Sequence, residues 1–172
     1  MRTARKSRKK RCARHPYTAV RVKGFARVQI VNTKTGEIVG DSGYVQNVIT
    51  AAGKQDYIVG ALGALAGSKP LLRLALSTQT LDPVSSDTSF TANSEFGGRK
   101  ALTASFSSPG TLVMTASWAG ADLGAQAPKT IRCIGVFNTT NTDATFAGAA
   151  TYATSQWSSD QAVNATYSWQ FS

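Results

Sequence analysis

From Val20 onward the chain alternates. Val20, Val22, Gly24, Ala26, Val28 and Ile30 fall on one face, and Arg21, Lys23, Phe25, Arg27, Gln29 and Val31 on the other. A period of two predicts a half-buried strand whose outer face is basic. Asn32-Thr33-Lys34-Thr35-Gly36 reads as a hairpin turn into a short strand, Glu37–Val39. Asp41-Ser42-Gly43 is a second turn, leading into a strand over Tyr44–Thr50. Further strands are predicted at Leu71–Thr78, which is apolar throughout, and at Lys100–Ser107, with Leu102, Ala104 and Phe106 on one face. Thr111–Trp118 alternates, Lys129–Asn138 is mostly apolar, and Thr145–Thr154 is small and alternating. The closing strand sets Val163, Ala165, Tyr167, Trp169 and Phe171 against Ala162, Asn164, Thr166, Ser168 and Gln170.

One helix is expected, over Ala51–Ala66. Thr50 stands as its N-cap, Ile58, Leu62 and Leu65 lie at helical spacing, and Gly67 follows as a stop. Gly53, Gly60 and Gly63 each cost such a helix up to about 1 kcal/mol. Their spacing lacks the Lys-Ser/Thr of a phosphate-binding P-loop, so the helix reads as a lid on one end of the fold. Residues 79–99 are the longest stretch without periodicity, either a contact surface between subunits or a plain crossover. About eight main strands with Ser/Thr/Asn/Gly-rich links predict an all-β fold, a single jelly roll or β-sandwich spanning 20–172.

Charge changes the picture. The 172 residues hold 19 Lys+Arg and 9 Asp+Glu, a net charge of +10. Eleven of the 19 basic residues lie in residues 1–27, where there is no acid, so the remainder is nearly neutral. Residues 1–19 therefore form a cationic arm, expected to be disordered because its like charges repel, with Pro16 marking its exit. Extended, residues 1–16 reach roughly 50 Å. Such density suits neutralisation of nucleic-acid phosphates by Arg2, Arg5, Lys6, Arg8, Lys9, Lys10, Arg11 and Arg14, continued by Arg21, Lys23 and Arg27 on the first strand. The run RKSRKKR also fits a nuclear-localisation signal. A membrane surface would attract the same charge, but no apolar face or lipidation motif adds hold, so no membrane partner is expected. A solubilising tail without a partner is the plainest alternative. Tyr17 is the one aromatic nearby, so the arm should read backbone charge rather than bases.

Little points to catalysis. The single histidine, His15, lies in the arm, away from any nucleophile it would have to activate. Two cysteines, Cys12 and Cys133, are too few for a disulfide framework or a zinc site, and Cys133 in its apolar run reads as a buried free thiol. Asp82 and Asp87 lie five apart in the long loop, but no calcium-loop spacing surrounds them. No metal or cofactor is nominated. No apolar run approaches the roughly 18 residues of a membrane span, and none follows the charged N-terminus as a secretory signal requires. The sequons Asn138-Thr139-Thr140 and Asn164-Ala165-Thr166 are then incidental.

An arm reading MRTARKSRKKRCAR before one β domain of this size resembles the coat proteins of small icosahedral viruses. The resemblance implies a jelly-roll shell of many copies, with the arm inside on a packaged genome, most readily single-stranded. It implies a place in the virion after synthesis in the host cytoplasm, with nuclear entry through the arm if the host is eukaryotic. The segments GEIVGDSGYVQNVITAAGKQ, IRCIGVFNTT and VNATYSWQF are similar to β-sandwich virion proteins of tailed bacteriophages, which do not typically begin with a polybasic arm. That likeness implies an accessory head or tail appendage instead. A non-viral nucleic-acid-binding β module is the third expectation. It needs aromatics on an exposed sheet face, and Phe25 is the main candidate, since Trp118, Tyr167, Trp169 and Phe171 are assigned inward.

Overall fold

The described residues form ten antiparallel strands, and the alternation at Val20–Val31 is the key to their arrangement. In the computed structural model, which describes residues 20–60, 69–126, 128–139 and 146–172, it forms β1 (Val22–Asn32). Ala26, Val28 and Ile30 are buried on its inner side. β1 pairs along its whole length with β10 (Gln161–Phe171), and β10 pairs with β7 (Thr111–Trp118) and β7 with the edge strand β6 (Thr103–Ser108). On the other side of β1 lie β2 (Ile38–Asp41) and β3 (Val45–Ile49). β3 belongs to both sheets. Val45–Asn47 pair with β1, while Val48 and Ile49 pair with β9 (Phe146–Trp157). The second sheet continues through β8 (Lys129–Phe137) and β4 (Arg73–Ser77) to β5 (Glu95–Ala101). Pairing is nested, β1 with β10, β3 with β9, β4 with β8 and the β6–β7 hairpin innermost, as in a β ribbon rolled up on itself.

The two inner faces enclose one core. Trp118, Tyr167 and Trp169 come from the first sheet, and Leu74, Leu76, Ile131, Ile134, Val136 and Trp157 from the second. The Trp118 indole donates to the Gly98 carbonyl at 2.8 Å, tying β7 to β5 where no ladder joins them. Asn47 reaches into the same core and donates to the Tyr167 hydroxyl.

A second, smaller core lies on the outer face of the second sheet, and it explains why β4 and β8 read as nearly unbroken apolar runs. Ala75, Cys133, Phe137, Phe146 and Ala149 point outward there and are covered by Phe90. The Phe90 ring packs edge-on against Phe137 and Phe146, with centroids 5.4 and 5.0 Å away. Gly135 makes this possible, because a Cβ there would stand 2.3 Å from the Phe146 ring. Arg99, whose side chain is 3% exposed, lies over the far ring, its guanidinium 3.8 Å from the Phe137 centroid and bound to Glu95 at 2.8 and 2.9 Å.

Several expectations need correction. The loop over 79–99 covers its own sheet up to Ser94, and Glu95–Ala101 is a strand. The strand expected over Lys100–Ser107 is two strands broken at Leu102. Its supposed inner face is open: every residue of β6 is exposed, Phe106 by 83%. Phe106 ends the row Gly24, Trp169, Leu112, Phe106 across the first sheet, and burial falls along that row toward the edge. Phe171, assigned inward, is exposed at the end of β10. The short helix (Gly53–Val59) is wound with the wider π spacing, so Tyr57 is buried and Ile58 only packs at the margin. Thr50 does cap it, accepting from the Gly53 N–H at 3.0 Å. Gly53 is no mere weakness, since its Cβ would lie 1.9 Å from the Ala147 carbonyl oxygen. Leu62, Gly63, Leu65 and Gly67 lie outside the described residues, as do arm residues 1–19.

Candidate nucleic-acid interface

Among the described residues, no loop covers the first sheet's outer face as Phe90 and its loop cover the second sheet. The pleat of β1 turns Arg21, Lys23, Phe25, Arg27 and Gln29 toward it. Backbone bonds in both directions between Arg21 and Ser172 (2.7 and 2.9 Å) pin the start of this row. Arg21 and Lys23 are exposed and have no ion pair among the described residues.

The short helix follows β3, which brings it alongside the start of β1. Val20, Val22, Ile58 and Val59 then line a groove of about 580 Å³, rimmed by Arg21, Lys23 and Lys54. None of the lining residues is acidic. Clustered ammonium and guanidinium groups with no counter-charge favour a polyanion, since each phosphate neutralised releases a condensed counterion. Residues 1–19 join the described chain at Val20, within this groove. Lys54 was not foreseen as a site residue. Its helix was legible, but its closeness to Arg21 depends on a contact between segments some thirty residues apart, which no local pattern encodes.

Arg27 has a different setting. Its guanidinium donates to both oxygens of Asp41, through Nε at 2.9 Å and through Nη2, and stands 5.4 Å from the centroid of the Tyr44 ring. Hydrogen bonds from Arg27 and from the Gly43 N–H hold the Asp41 carboxyl well below the usual carboxylate range. Arg27 is therefore a matched charge that orients Tyr44, not an open cation. Beside it, Phe25, Tyr44, Val113, Thr166, Ser168 and Gln170 help line a second groove of about 540 Å³ on the same face. Phe25 is half-buried and Tyr44 is 61% exposed, so two aromatic rings line the groove together with hydroxyl and amide groups.

The remaining candidates are otherwise engaged. Asp87 accepts the Val84 N–H at 2.8 Å and Asp82 accepts the Thr151 hydroxyl, both bonds shaping the covering loop. Among the described residues no three His, Cys, Asp or Glu side chains are grouped to hold a metal. Cys133 is buried and free, and burial pushes its thiol up to about 12, which suppresses the thiolate. No described helix is long and apolar enough to cross a membrane. Arg2, Arg5, Lys6, Arg8, Lys9, Lys10, Arg11, Arg14, Cys12 and His15 lie outside the described residues. Comparison with protein-family models, with curated proteins and with solved structures finds no match.

Proposed function

We propose that this protein is a structural, non-enzymatic component of a virus particle that assembles in many copies and packages nucleic acid by neutralising its phosphates. One observation carries the reading: the arm of eight basic residues by Arg14 joins the domain at the groove where Arg21, Lys23 and Lys54 gather without an acid. Charge is thus concentrated on one end of an otherwise neutral body, which gives a copy in a shell an inside. The β6 edge supports self-association. Among the described residues it is unpaired, and it carries no charge or proline across Thr103–Ser108, the features that usually keep an edge strand from pairing with another chain.

Size-exclusion chromatography with absorbance at 260 and 280 nm tests this. The full chain expressed in a bacterial host should elute as large particles containing host nucleic acid, and deletion of residues 2–14 should empty or destabilise them. A small oligomer that still binds nucleic acid would favour the accessory-appendage role instead. A monomer free of nucleic acid at low salt would overturn both.

A further inference from the structure

We infer that the second groove, lined by Phe25 and Tyr44, takes an unpaired nucleobase, so that the protein grips single-stranded nucleic acid by its bases as well as its phosphates. This rests on the packaging role proposed above and adds to it a site and a strand preference.

Four features converge on the groove. Phe25 and Lys23 are two apart on β1 and point to the same face, which places an aromatic ring beside an unpaired cation. In the sheet Phe25 stands between Gln46 of β3 and Ser168 of β10, and Lys23 stands beside Gln170, so amide and hydroxyl groups flank the ring. The Arg27–Asp41 pair holds a guanidinium 5.4 Å from the centroid of the Tyr44 ring, a cation–π contact that favours this position of the second ring. A space of about 540 Å³ lies within the roughly 300–1,000 Å³ usual for small-ligand sites.

Charge complementarity selects the occupant. The basic row begins at the arm's root and runs through Arg21 and Lys23 straight to the groove, so a strand held by its phosphates there passes over the rings. Aromatic platforms stack any base, which suits binding without sequence preference. A duplex keeps its bases stacked on one another and presents none to a ring, so the groove discriminates against it. Arg27 enters as a positioning residue for Tyr44 rather than as a phosphate ligand.

The test uses the full chain and two probes of equal charge, an oligothymidylate of about 20 nucleotides and an abasic strand of the same length. Fluorescence anisotropy should show tighter binding to the oligothymidylate, by roughly 5-fold or more, since stacking is worth a factor of that order per base. Phe25→Ala should remove the preference while leaving affinity for the abasic strand unchanged, with a thermal melt like the parent's to show that the variant is folded. Tyr44→Ala, at an exposed position, should reduce the preference in part. Equal affinity of the unaltered protein for both probes would overturn the base site and leave the packaging role standing. Absence of binding to either probe at low salt would overturn the packaging role itself. A preference that survives both substitutions would place base contacts elsewhere and sink the assignment of this groove.

Discussion

Salt dependence separates open cations from matched ones, and the structure says which are which. Arg21, Lys23 and Lys54 rim the groove at the arm's root with no acid among its lining residues, whereas Arg27 is bound to Asp41. For a single strand, log K falls against log salt with a slope of about −0.7 per phosphate neutralised. Replacing the three open cations together by glutamine should make the slope shallower by about 2. Between 50 and 200 mM salt the variant should then lose on the order of 15-fold less affinity than the unaltered chain. The double variant Arg27→Gln, Asp41→Asn removes a neutral pair and should leave the slope unchanged. Anisotropy of a labelled oligothymidylate across a salt series measures both. Thermal melts should stay close to the parent for the triple variant, since its three sites are exposed. A triple variant that keeps the parent slope, or a flattening just as large on removing the Arg27–Asp41 pair, would refute this division of open from matched cations.

Other consequences concern the scaffold. Helix propensity alone makes Gly53→Ala stabilising by up to about 1 kcal/mol, but the new Cβ would meet the Ala147 carbonyl oxygen at 1.9 Å. Urea unfolding should therefore show a loss of roughly 1–3 kcal/mol, the opposite sign. Phe90→Ala should cost about 3 kcal/mol in the same assay, because the ring closes the outer core over Phe137 and Phe146, whereas an unpacked crossover would tolerate it. The buried Cys133 thiol titrates near 12 against 9.0 when unperturbed, so the unfolded chain gives up that proton first. Its contribution to stability is complete below pH 9.0 and is lost as pH rises toward 12, and Cys133→Ala should flatten the decline in unfolding midpoint at its onset.

Where one face of a strand meets the core and the other meets water, the sequence announced it: β1, β7 and β10 lie close to where alternation puts them. Strands covered on both faces lose that signature, which is why β4 and β8 read as plain apolar runs and hide the outer core beneath Phe90. The edge strand β6 misled for the opposite reason. Alternation at Leu102, Ala104 and Phe106 promised an inner face, but a strand's pattern does not say whether anything lies opposite. The interface was half legible. Arg21, Lys23 and Phe25 follow from the pleat of a single strand, while Lys54 and Tyr44 join them through contacts between strands and helix, and the ionic partner of Arg27 could be found only in space.

If nucleic acid lies against one side of this molecule, photocrosslinking maps that side directly. Full-length protein bound to a 4-thiouridine-containing single strand should be irradiated, digested and its crosslinked peptides identified by mass spectrometry. Adducts are expected in residues 1–27 and 44–59, the arm, the outer face of β1 and the helix that carries Lys54. Adducts centred instead on residues 79–94, the loop over the opposite sheet, would contradict it.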